Sequence, residues 1–219
     1  MNLQSILNQV LQGAANTQRS DAGKYITGGV VGMLLGSRGG RSMGGTALKY
    51  GSVAALGAMA WKAYQEYEAK QRAQAPAPAA GAPTPTTAAP VQPPSFAALP
   101  SPQLELHSQA MLKAMIAAAK SDGHVDEREQ GLVRVELDRS GADTDTRAWV
   151  EAEMRRPVDA ADVAAAATTP EMAAEVYLAT LVVVDETTMM ERAYLDELAR
   201  QLKLPPTLKA DLEARARTA

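Results

Sequence analysis

Cysteine is absent from this chain, which excludes disulfides, thiolate zinc sites, iron–sulfur ligation and cysteine nucleophiles. Histidine is nearly absent: His107 and His124 are the only two. A histidine-rich metal centre and most Ser-His-Asp arrangements are excluded with it. Aromatic side chains are scarce, at two Trp, six Tyr and one Phe. The 46% hydrophobic content is largely alanine, which supplies 43 of the 219 residues. Alanine packs helices closely but buries little area, so neither a thick β-sandwich nor a large α/β enzyme core is expected. These absences leave a small, helical, alanine-rich protein without visible catalytic equipment.

What is present is sharply partitioned. Residues 1–75 carry eight Lys/Arg against three Asp/Glu, a net +5, residues 76–100 carry no charge, and residues 101–219 are net −8. Twelve of the sixteen glycines precede Ala60, and nine of the thirteen prolines lie between Pro76 and Pro102. Four regions follow: an amphipathic helix over 1–22, a glycine-rich helical hairpin over 23–72, a Pro/Ala linker over 73–102, and an acidic helical domain over 103–219. Proline fixes φ and lacks an N–H, so the linker reads as an extended, semi-rigid tether of up to ~3.1 Å per residue.

In residues 1–15, Leu3, Ile6, Leu7, Val10, Leu11 and Ala14 recur at the spacing of one helical face. The opposite face is mostly Gln and Asn, which favours packing on another helix over strong lipid binding. No basic segment leads into a long apolar core of the secretory type, so a cleaved signal is not expected. Residues 25–36 are uncharged, with Gly28, Gly32 and Gly36 at four-residue intervals, a spacing that lets two backbones approach closely. A second run, from Thr46 to Trp61, carries Gly51, and Trp61, Tyr64 and Tyr67 then stand beside Lys62 and Lys70 like an interfacial girdle. Neither run alone reaches the roughly 20 apolar residues of a membrane span. Together they read as a glycine-zipped hairpin, membrane-associated or oligomerising, with both ends cytoplasmic by the distribution of flanking basic residues. The stretch from Gly36 to Ser42 has no GxxxxGK[ST] match and no preceding strand pattern, so it is not a phosphate cradle.

From Gln103 onward, six to seven amphipathic helices follow one another. Their expected starts include Asp126 with Glu129, Asp143, Thr169 before Pro170, and Thr188 with Glu191. Methionines 111, 115, 189 and 190 stand at core spacing and read as packing. A weak internal repeat relates Met115–Asp122 followed by Glu129 to Leu178–Asp185 followed by Glu191.

At AAKSDGHVDERE, residues 118–129, the chain resembles the tellurite-resistance TerB-like superfamily. The glycine-rich segment ending in AWKAY, the Pro-rich tether, AMIAAAKSDGHVDEREQ, TPEMAAEVYLAT and ERAYLDELARQLKLPP together resemble the YebE-like family of uncharacterised bacterial proteins. These resemblances imply an all-α, TerB-like C-terminal bundle and association with the bacterial inner membrane, the C-terminal domain being cytoplasmic. The TerB-like resemblance also implies a divalent-cation site on Asp122, Asp126, Glu129, Asp185 and Glu191, whose hard oxygen ligands suit Ca²⁺, Mg²⁺ or Mn²⁺. Asp126/Glu129 and Thr188/Glu191 are also explained as helix caps, the favoured reading, and acidic residues near helix starts complement the dipole.

The function expected is a non-enzymatic, membrane-associated protein whose helical domain binds a protein partner or senses a divalent cation. The membrane or self-association residues would be Gly28, Gly32, Gly36, Gly51 and Trp61. A soluble glycine-zipper oligomer with a stress-related role is the alternative, and a carboxylate-based hydrolase lacks a nucleophile or partner base. A folded domain of net −8 disfavours nucleic acid, and no small-molecule substrate is evident.

Overall fold

The computed structural model describes residues 3–4, 6–8, 53–74, 101–121, 127–139, 141–184 and 188–218. Helix is the only regular secondary structure among the described residues, so the protein is all-α. In chain order the helices are α1 (Val53–Gln74), α2 (Ser101–Ala119), α3 (Glu127–Arg139), α4 (Thr144–Arg155), α5 (Ala160–Ala164), α6 (Pro170–Val183), α7 (Met189–Gln201) and α8 (Pro206–Thr218). Leu3, Gln4, Ile6, Leu7 and Asn8 are helical as well.

Local chemistry sets the helix starts. Asp143, Asp159, Thr169 and Thr188 each stand in extended backbone and accept a hydrogen bond from an N–H of the first turn that has no partner inside the helix. Pro170 opens α6 where its missing N–H costs nothing. Two helix ends use left-handed residues. Gly141, at φ 68°, follows α3, with Ala142 N–H donating to the Leu137 carbonyl at 3.0 Å. Lys203, at φ 55°, follows α7, with Leu204 N–H donating to the Ala199 carbonyl at 3.0 Å. Both are Schellman closures, which satisfy carbonyls left over at the helix end.

Helix α6 is the centre of the bundle. Its sequence, PEMAAEVYLATLVV, is apolar on nearly every face, the signature of a helix buried all round. Helices α1, α2, α7 and α8 all lie against it, α4 and α5 pack on α2, and α3 packs on α4. Alanine makes this possible: Ala114, Ala117, Ala118 and Ala119 of α2 and Ala173, Ala174 and Ala179 of α6 are all buried. Short side chains bring helix axes close, and the core is filled by a few larger groups such as Tyr177, Met111, Met115 and Leu178. Across this core Tyr177 Oη donates to Glu213 Oε1 at 2.8 Å, tying α6 to α8.

Helix α1 sits on α6 and α8 with Leu56, Met59, Ala60 and Ala63 buried. Its Glu66 carboxylate meets Arg215 of α8 at 2.5 Å. At Gly57 the helix comes so near α6 that an added Cβ would lie 3.3 Å from Glu175 Oε1. Tyr64 and Tyr67, part of the expected aromatic girdle, pack partly buried against the same core. The start of the chain also reaches the bundle: Leu3, Ile6 and Leu7 are buried, and Leu3 N–H donates to Glu105 Oε1 of α2 at 3.3 Å. The packing expected of this apolar stripe is therefore seen at its first three members.

Because α1 and α2 both lie against α6, residues 75–100 join two helices that share a core. Glu175 meets the N-terminal half of each, at Gly57 and at His107.

Two methionines depart from the expected packing. Met189 and Met190 are 88% and 59% exposed. With Thr188 as N-cap they occupy the first two helical positions, and the inward stripe of α7 begins only at Glu191, continuing through Tyr194, Leu195 and Leu198. Met111 and Met115 are buried as expected.

Candidate functional site

The two acidic turns follow α2 and α6, and their supports are well defined even where the turns themselves are not described. At the end of α2, Ser121 Oγ donates to the Ala118 carbonyl at 2.7 Å and Ser121 N–H to the same carbonyl at 3.1 Å. The side chain of Lys120, in the AAKSDG motif, turns into the protein and is buried. Its ammonium donates to the Glu153 carbonyl at 3.0 Å and to the Arg156 carbonyl. Carbonyls at a helix C-terminus lack helical donors and carry the negative end of the dipole, so a cation there both caps and neutralises them. Lys120 thereby pins the end of α4 to the end of α2. Burial lowers its pKa, opposed by the Glu153 carboxylate and assisted by Arg156.

Around this anchor the charges alternate. Lys113 meets Asp162 at 2.7 Å, Arg156 meets Asp162 at 3.4 Å, and Arg156 meets Glu153 at 2.9 Å. The cavity they border, with Pro157 and Asp159 on its wall, measures about 10 Å³. That is the lower limit for a single water and far below the ~300 Å³ of a typical ligand site. The chemistry available here is structural: opposite charges fix the corner between α4 and α5.

At the second turn Thr188 and Glu191 form a reciprocal capping box. Glu191 Oε2 accepts from Thr188 N–H at 2.8 Å and from Thr188 Oγ at 3.0 Å, while Glu191 N–H donates to Thr188 Oγ at 3.1 Å. The Glu191 residue is 3% exposed. Glu191 therefore serves the cap through its Oε2, as the helix-start reading of Thr188 and Glu191 expects. Of the other proposed ligands, Asp122, Asp126 and Asp185 lie outside the described residues. Glu129 lies in α3, its side chain outside that description. Among the described residues no group of three or more His, Asp or Glu side chains is arranged to hold a metal. Gly28, Gly32, Gly36 and Gly51 also lie outside the described residues, whereas Trp61 is half-buried in α1.

Sequence patterning gave no weight to a polar junction under α1. His107 Nε2 pairs with Glu175 Oε2, both side chains largely buried, and Gly57 faces the other Glu175 oxygen. The only signal available was His107 on one helix and a single Glu in the otherwise apolar centre of another. Ser108 Oγ and Tyr194 Oη are buried without a hydrogen-bond partner among the described residues. Burial, with Asp159 adding to it, pushes the Tyr194 hydroxyl pKa up, so it stays neutral.

The fold and these supports define an all-α bundle protein organised on a buried central helix. The chain belongs to the family described as "Protein of unknown function (DUF533)", which matches residues 21–216. It is similar to a Yersinia enterocolitica protein described as "Uncharacterized protein in ampR 5'region", at 29% identity over 105 residues, covering 48% of this chain and 76% of that relative. No solved structure matches it. Among the described residues, no helix is long and apolar enough to cross a membrane.

Proposed function

We propose that this protein is a non-enzymatic adaptor of the bacterial inner membrane, its helical bundle facing the cytoplasm and its glycine-rich segment providing attachment. One observation carries the reading: Leu3, Ile6 and Leu7 on one side of the glycine-rich segment and α1 on the other are both seated on the bundle. Anything engaged by residues 23–50 is then coupled to the bundle at two points. Gly28, Gly32, Gly36 and Gly51 would make the close contacts, in lipid or with a second copy. The resemblance at AAKSDGHVDERE supports a TerB-like class for the bundle, and its acidic surface would serve a protein partner.

Alkaline carbonate extraction of membranes carrying the full-length chain tests the attachment. Retention in the pellet is expected. Complete extraction overturns an inserted hairpin and favours the alternative, a soluble glycine-zipper oligomer. Cation sensing would rest on Asp122, Asp126, Glu129, Asp185 and Glu191, the last of which also caps α7. Calorimetric titration with Ca²⁺, Mg²⁺ and Mn²⁺ should lose its signal in the Asp122→Asn, Asp185→Asn double variant; heats equal to those of the parent chain would end that idea.

A further inference from the structure

Among the described residues, methionine exposure falls into two populations. Met59, Met111, Met115, Met154 and Met172 are at most 8% exposed, whereas Met189 and Met190 are 88% and 59% exposed side by side at the start of α7. The chain has no thiol to compete for an oxidant. A thioether reacts through a sulfur lone pair, so among methionines of one protein access to solvent decides which react first. We propose that Met189 and Met190 form a reversible oxidation site for two-electron oxidants of the hydrogen peroxide class.

The step is an oxygen transfer. The sulfur lone pair attacks one peroxide oxygen, forming the S–O bond as the O–O bond breaks. Sulfur gives up two electrons, and the departing hydroxide takes the proton from the transferred oxygen. The products are a sulfoxide and water.

The position decides the consequence. Met189 and Met190 are the first two residues of α7, and the helix start is held independently by Thr188 and Glu191. The core contacts of α7 come from Tyr194, Leu195, Leu198 and Ala199. Oxidation therefore replaces an apolar tip with two polar sulfoxides and leaves the cap and core in place. The tip is an exposed apolar pair in an acidic stretch: residues 185–197 contain five Asp/Glu and one Arg. Converting it erases that local contrast, a change of surface without a change of fold. The site does not depend on membrane attachment and goes beyond the adaptor reading.

Treatment of the full-length protein with dilute hydrogen peroxide, followed over time by peptide mass mapping, tests the proposal. Met189 and Met190 should gain oxygen roughly tenfold or more faster than Met59, Met111, Met115, Met154 and Met172. Met1, Met33 and Met43 are followed on their own peptides and do not enter that comparison. Once the pair is oxidised, retention on a phenyl column should shorten while the thermal midpoint stays unchanged, and methionine sulfoxide reductases supplied with a dithiol as reductant should restore the retention. In the Met189→Leu, Met190→Leu variant the same treatment should leave retention unchanged. Equal rates for exposed and buried methionines overturn the proposal, as does a loss of cooperative melting when only this pair is oxidised.

Discussion

Lys203 and Gly141 hold equivalent places in two Schellman closures, yet only one of them is the residue that left-handed backbone favours. Side chains with a Cβ lose roughly 1–2 kcal/mol in that region, which glycine does not. Lys203→Gly should raise stability by about 1 kcal/mol, and Gly141→Ala, with open space around its Cβ, should lower it by about 1 kcal/mol. Urea denaturation midpoints moving in opposite directions check the pair. Glu197 supplies a second residue-level test. Hydrogen bonds from Arg200 and Gln201 hold its carboxyl down at about 2, against an ordinary 4.5. A depressed carboxylate contributes stability above its ordinary range and loses it as pH falls toward 2. An NMR titration should find the Glu197 midpoint well below the other exposed glutamates, and Arg200→Gln should move it upward.

At the scale of elements, ends and contacts are governed by different chemistry. The start of α7 depends on the Thr188–Glu191 box, so Thr188→Ala should cost about 1 kcal/mol, read as a lower thermal midpoint. Glu191→Gln should cost less, because an amide oxygen still accepts from the Thr188 N–H. Contact between α1 and α6 depends on the missing side chain at Gly57. A Gly57→Leu side chain would have to displace the Glu175 carboxylate from its pairing with His107. The expected result is a lower denaturation midpoint with faster amide exchange along α1. A gain of about 1 kcal/mol, the helix-propensity benefit alone, would show that the seat tolerates bulk.

For the whole molecule, the decisive relation is that α1 covers the central helix. Leu56 and Met59 alone represent roughly 3–6 kcal/mol of apolar burial, against a total stability of roughly 5–15 kcal/mol for a domain. A chain beginning at Ser101 would keep all of α6 and lose that cover. It should unfold at lower denaturant than the full chain and bind a hydrophobic dye under native conditions. Adding a peptide of residues 53–74 should reverse the dye binding. A truncated chain as stable as the parent would mean that α6 needs no cover from α1.

The sequence by itself determined what local chemistry determines. Alanine content and the succession of amphipathic helix patterns set the all-α class. Asp143, Thr169 with Pro170, and Thr188 with Glu191 marked helix starts, because a cap is made by residues three positions apart or fewer. The Leu3, Ile6, Leu7 stripe announced packing without naming its seat. Only the tertiary structure decided what depends on distant partners. It put α1 on the bundle although composition grouped residues 53–72 with the glycine-rich stretch, since Leu56 and Met59 find apolar cover on α6 and α8. It turned Lys120 inward to carbonyls of residues 153 and 156. It also left Met189 and Met190 outside, because Thr188 fixes the phase at which the inward stripe of α7 begins. Periodicity gives the spacing of a helical face; which face is inward is set by the neighbour that covers it.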